Sequence, residues 1–161
     1  VGARFDCGEP GCPVASCHPA LANWEKAACH DVPTVRGWWR WLPYAVLVAT
    51  GRTLDAIEVP AALGRRVAGG VAGPVAVTPD ARWFFLVRPQ ARLISELHTQ
   101  PDVVLHGPAS WVPVPPTELP DGRVRWEVPP EEYDWRLPDS YTVQQAIVRG
   151  IRHLAEMRLA S

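Results

Sequence analysis

From Ser140 to Leu159 the apolar residues Val143, Ala146, Ile147, Ile151, Leu154 and Ala155 recur at helical spacing and fall on one face. Ser140 or Thr142 is placed to cap the first amides of this run. A helix with one apolar face must bury that face against something else, so the remaining chain has to supply a core. That remainder is of a different kind. It breaks into short apolar runs of strand length: Ala45–Thr50, Ala56–Val59, Pro74–Thr78, Arg82–Arg88, Val103–His106, Trp111–Val114 and Arg123–Val128. Gly51-Arg52-Thr53, Pro79-Asp80-Ala81 and Pro120-Asp121-Gly122 are turn signals between them, and the second predicts a hairpin. Short helices are expected at Pro33–Trp41, with Asp31 or Thr34 near its start and Leu42-Pro43 at its end, at Ala61–Val67 after Pro60, and at Ala91–His98. Pro129–Pro138 reads as a strap joining the sheet to the last helix.

These elements predict an α/β (α+β) fold: a mixed, mostly antiparallel sheet flanked by helices and closed by a C-terminal helix over 140–159. With 161 residues, no internal repeat and no long linker, the expectation is a single domain over 1–161. An apolar fraction of 47% and a charged fraction of 20% are those of a globular chain. The net charge of −1 gives no overall pull toward nucleic acid, so such binding requires a local basic patch. No run approaches the roughly 18 apolar residues of a membrane span. No basic start leads into an apolar run either, so a cytoplasmic location and no membrane partner are expected. The cations are arginines apart from Lys26, and abundant Ala, Val and Pro complete the signature of a GC-rich genome.

Residues 1–31 read as an irregular segment holding all four cysteines together with His18 and His30. The spacing is Cys7-x4-Cys12-x4-Cys17-His18, with Cys29-His30 further on. Thiolate and imidazole ligands suit tetrahedral zinc, and Cys7, Cys12, Cys17 or His18, and Cys29 or His30 supply four. Such a zinc would be structural. Two disulfides, or four unrelated free thiols, are the alternatives; the spacing lacks the compact C-x2-C pairs that would decide.

Four stretches in order resemble one family. Cys7-Gly8, Cys12 and His18-Pro19 resemble a loop reading C-x-C-G, then Cys, then G-K-H-P; Asp31 through Pro43, with Trp38-Trp39, resembles a W-W-x-x-x-P helix. Ala49-Thr50-Gly51-Arg52 matches an A-T-G-R turn. Trp111-Val-Pro-Val-Pro-Pro-Thr117, followed by Asp121-Gly122-Arg123-Val-Arg-Trp126, is similar to Y-V-V-A-P-P-S and its G-x-x-Y-x-W strand. The set is that of the N-terminal primase-polymerase domain of actinobacterial and phage or plasmid proteins, a branch of the archaeo-eukaryotic primase superfamily. The resemblance implies a primase-polymerase core and, for the family, nucleotidyl transfer with two metal ions held by carboxylates.

The resemblance also assigns positions. The Asp-x-Asp pair after A-T-G-R falls on Glu58 and Pro60, the phosphate-contacting His on Trp83, and a third carboxylate on Val104. His106 stands where the family has Arg, and Ala109-Ser110 replace two glycines. Glu58 is thus the only carboxylate left of the motif, so Mg or Mn binding and polymerase activity are not expected.

Arg36, Arg40 and Arg52, interleaved with Trp38, Trp39 and Trp41, form a candidate patch for stacking and phosphate contact, with Trp83 as a further candidate. The alternative is that the tryptophans pack and the arginines are solvated. Trp83, Phe84 and Phe85 likewise read either as strand residues packing the core or as an apolar interface. Neither Ser16, Ser95 nor Ser110 lies in a nucleophile elbow, and no Walker or Rossmann fingerprint occurs. The leading expectation is a non-catalytic, degenerate domain that binds nucleic acid, nucleotide or protein. A surviving enzyme that uses Glu58 with His98 or His106, and a regulatory module that dimerises through its aromatic face, are the alternatives.

Overall fold

The computed structural model describes residues 17–19, 23–41 and 45–160. A five-stranded sheet lies at the centre, in the order β5-β2-β4-β3-β9, with every neighbouring pair antiparallel. Its strands are β2 (Asp55–Pro60), β3 (Val75–Val77), β4 (Arg82–Val87), β5 (Val104–His106) and β9 (Arg125–Val128). β1 (Val46–Ala49) pairs with β6 (Trp111–Val114) in a separate two-stranded ribbon, and β7 (Glu118–Leu119) pairs with β8 (Gly122–Arg123). The helices are α1 (Trp24–Ala27), α2 (Val32–Trp41), α3 (Ala61–Ala68), α4 (Ser95–His98) and α5 (Ser140–Leu159), with a 3-10 turn at Pro130–Tyr133.

Strand alternation divides the side chains of the sheet between two cores. Ile57, Val59, Val75, Val77, Trp83, Phe85 and Val87 point to one face, where Leu63 and Val67 of α3 and Val143, Ala146 and Ile147 of α5 cover them. Ala56, Ala76, Phe84 and Leu86 point to the other, against Val112 and Val114 of β6 and the half-buried Val46 and Val48 of β1. The molecule is therefore layered as helices, sheet and ribbon, and both faces of β2 and β4 are occupied. This is why β4 reads as a continuous apolar run instead of an alternating one.

The sequence expectations hold for the fold class, for the Pro79-Asp80-Ala81 hairpin between β3 and β4, and for α5. Three details differ. Asp139, not Ser140 or Thr142, caps α5, its side chain accepting from the Tyr141 amide at 2.9 Å. Only the single turn Ser95–His98 of the expected Ala91–His98 helix forms. The two buried polar residues of this region hold its first part extended: Asp55 Oδ2 accepts from the Ala91 amide at 2.7 Å and Gln144 Oε1 from the Ile94 amide at 2.8 Å. The run Arg123–Val128 breaks at buried Val124, so that Gly122–Arg123 folds back on Glu118–Leu119. The Gly51 turn falls between β1 and β2 as expected, and it carries the chain from ribbon to sheet. α2 begins where expected, with Asp31 Oδ2 accepting from the amide and hydroxyl of Thr34.

Candidate functional site

The face of the sheet that meets the ribbon carries one carboxylate. Glu58 lies in the middle of β2, with Phe84 opposite it on β4 and Val104 opposite it on β5. Alternation puts Pro60, and Arg82 directly across from Pro60, on the same face, and it puts His106 there too, opposite Ala56. The side chains converge. Arg82 Nε donates to Glu58 Oε1 at 2.5 Å, and His106 Nε2 donates to Oε2 at 2.7 Å. Arg82 Nη2 donates in turn to the Asp102 carbonyl at 2.9 Å. The three side chains are only 16–24% exposed, which sets this cluster apart from a solvated surface pair.

Burial pushes the Glu58 carboxyl up, but the hydrogen bonds and charges of His106 and Arg82 outweigh it and hold the group below its ordinary value. An ionised carboxylate only accepts, so the His106 Nε2 in this contact carries a proton. The other ring nitrogen, Nδ1, faces Ser110 Oγ at 3.0 Å. The row Ser110–His106–Glu58–Arg82 is continuous.

The turn between β1 and β2 fixes one end of this row. Thr50 Oγ1 donates to the Gly107 carbonyl at 2.6 Å, and the Thr50 amide donates to the Ser110 carbonyl at 2.9 Å. Gly51 has φ +96°, and a Cβ on it would stand 2.4 Å from Pro108 Cα. The Thr50-Gly51 pair is thus required by backbone conformation and by close approach to the loop that presents His106 and Ser110.

The positions assigned by resemblance separate accordingly. Glu58, Pro60 and Val104 share one face, as that assignment requires. Pro60 has no ligand atom, and Val104 is apolar and 39% exposed. Trp83 requires a correction. It is 3% exposed, with its ring against Gly64, so it packs in the core on the opposite side of the sheet from Glu58. The β4 side chain at the carboxylate is Arg82, one residue earlier. Of the two histidines considered with Glu58, His106 reaches it; His98 Nε2 instead lies 3.1 Å from the Leu93 carbonyl.

Arg36 and Arg40 on α2, and Arg52 after β1, are exposed and make no ion pair among the described residues. Trp38 and Trp39 are 39% and 42% exposed. The Trp41 side chain lies outside the described residues. Cys7 and Cys12 also lie outside them; Cys17 is half-buried, Cys29 is exposed, and both are free thiols. His18 Nδ1 lies 3.0 Å from the Pro19 carbonyl. Among the described residues no three His, Cys, Asp or Glu side chains are grouped to hold a metal. Two described residues of this part of the chain contact the fold: the Trp111 indole donates to the Cys17 carbonyl at 3.0 Å, and Trp24 packs edge-on to Trp111 at 5.3 Å.

Comparison with known proteins agrees with this geometry at the level of family. Neither the curated proteins nor the solved structures contain a match to the chain. The family model for the N-terminal domain of bifunctional DNA primase/polymerase matches residues 7–145, from the cysteine segment into α5. The match takes in β2, β4, β5 and the Glu58 cluster they assemble, and the chain belongs to the bifunctional DNA primase/polymerase N-terminal (Prim-Pol) family.

Proposed function

We propose that this domain is a degenerate primase-polymerase scaffold that acts as a nucleic-acid-binding module and does not carry out nucleotidyl transfer. The observation that carries the reading is the state of Glu58. Its two oxygens are taken up by Arg82 and His106, and the residue two positions on is Pro60. The reaction of the family calls for two divalent ions, each with several oxygen ligands. One carboxylate flanked by Phe84, Val104 and Pro60, already neutralised by a guanidinium, does not fit that requirement. Binding would use α2, where the exposed Arg36 and Arg40 offer phosphate contacts and Trp39, on the same side at helical spacing, offers a ring, with Trp38 exposed on the other side.

The test is fluorescence anisotropy of labelled oligothymidylate at increasing salt. Salt-weakened binding that drops when Arg36 and Arg40 are both changed to Ala supports the module. Absence of binding even at low salt removes nucleic acid as the partner and leaves a protein.

A second reading is favoured by the order Ser110–His106–Glu58, a hydroxyl on an imidazole backed by a carboxylate. Arg82 shares that carboxylate and divides its pull on the ring, which is why this reading stands second. Treatment with a fluorophosphonate decides it: a Ser110 adduct, lost in His106→Gln, would support a surviving hydrolytic enzyme, and no adduct removes it.

A further inference from the structure

On the face of the sheet opposite Glu58, Arg65 of α3 and the strands β8 and β9 flank the hairpin end of β3 and β4. A cavity of about 280 Å3 opens there, with Val77 and Trp83 at its floor. Arg65 of α3 stands on one side, and Arg123, Arg125 and Glu127 of β8 and β9 stand on the other. The sequence explains the position. Val77 and Trp83 point to the helix face and Arg125 pairs with Val77, so alternation puts the Arg125 side chain on that face, on the edge strand β9.

The lining is charged in one direction, with three arginines against one glutamate. Arg123 is paired with Glu118 and Arg125 with Glu127, but all four side chains are at least 36% exposed, and such pairs exchange readily for another anion. Arg65 is exposed and has no ion-pair partner among the described residues. Guanidinium groups present planar forks that match phosphate oxygens. The volume is at the lower end of the roughly 300–1,000 Å3 of small-ligand sites, so it suits one phosphate with an attached sugar and not a longer ligand held entire.

We propose that this cavity is a phosphate-binding site, separate from the Glu58 cluster, in which Arg65 is the principal cation and Arg123 and Arg125 close on the anion from the facing strands. A free sugar phosphate and a single phosphate of a nucleic-acid strand both carry this chemistry. The site goes beyond the α2 surface proposed above and uses none of its residues.

The experiment is calorimetric titration at low salt with ribose 5-phosphate, with ribose as the control, followed by anisotropy with labelled oligothymidylate. Arg66→Ala removes the same charge from the same helix outside the cavity. Saturable binding of ribose 5-phosphate but not ribose, weakened at least tenfold by Arg65→Ala and less than twofold by Arg66→Ala, is the expected result. Oligothymidylate binding with the same dependence on Arg65 would identify a strand as the source of the phosphate; independence of Arg65 would identify a free ester. Equal effects of the two substitutions, or equal binding of ribose and ribose 5-phosphate, would overturn the proposal.

Discussion

Glu58 on β2 and His106 on edge strand β5 are joined through Oε2 and Nε2 at 2.7 Å, although 48 residues separate them in the chain. The contact closes the carboxylate from one side while Arg82 closes it from the other. Glu58 is thereby the centre of a partly buried ion cluster. Partly buried pairs of this kind stabilise a fold only while every member keeps its partner.

Acid titration reads that cluster directly. The Glu58 carboxyl is depressed in the folded chain and regains its ordinary value on unfolding. Its contribution to stability is therefore complete above the ordinary carboxylate value and is lost as the pH falls through the depressed one. Glu58→Gln keeps the shape without the titration. The stability difference between wild type and Glu58→Gln, measured by urea unfolding, should shrink as the pH is lowered through that range. A difference independent of pH would mean that Glu58 is not held ionised.

The core assignment of Trp83 makes a separate prediction. Trp83→Ala should cost about 3–5 kcal/mol, the usual range for emptying an aromatic core site. In Gly64→Ala the new Cβ would stand 2.3 Å from the indole Cγ, and the overpacking should cost about 1–3 kcal/mol. Trp83→Phe should leave oligothymidylate affinity at the wild-type value. A selective loss of affinity without loss of stability would return Trp83 to the binding surface.

Gln144 is 1% exposed and bonds to two backbone groups of the segment before α4: it accepts from the Ile94 amide and donates to the Arg92 carbonyl at 2.9 Å. Gln144→Leu keeps the volume and leaves both groups unpaired. Denaturation should show a loss of about 2 kcal/mol, from the cost of unsatisfied buried polar groups. Amide exchange at Ile94 should rise well above that of the sheet. Unchanged protection there would show that Gln144 is not what orders the segment.

The cysteine segment has its own measurement. Burial, reinforced by the charge of Asp80, pushes the Cys17 thiol up, away from the thiolate that a metal requires. A zinc ligand set that includes Cys7 and Cys12 would reverse this. Elemental analysis of the purified chain should then give one zinc per molecule, lost in Cys12→Ser. A metal-free chain with four titratable thiols would exclude the zinc site.

What the sequence discloses of this fold depends on whether a pattern is local. α5 is legible because Val143, Ala146 and Ile147 repeat on one face, and the β3–β4 hairpin because Pro79-Asp80 marks its turn. The pairing of β1 with β6 is not legible: it joins Val46 to Val114, and no turn residue signals so distant a partner. Glu58, Pro60 and Val104, the positions that the resemblance assigns, share one face by the register of β2, β4 and β5. Both faces of β4 are buried, so Trp83, Phe84 and Phe85 give no alternation to read. Arg82 carried the one available signal, a charge at the end of an apolar run and opposite Pro60. Ser110 lies in no nucleophile elbow, and its contact with His106 arises from the loop held by Thr50 and Gly51.

Primer extension measures the central claim most directly. The chain, a primed template and all four deoxynucleoside triphosphates would be incubated with magnesium and with manganese, alongside Glu58→Ala. The account predicts no product above the Glu58→Ala background with either ion. Extension by the wild-type chain that Glu58→Ala abolishes would contradict it.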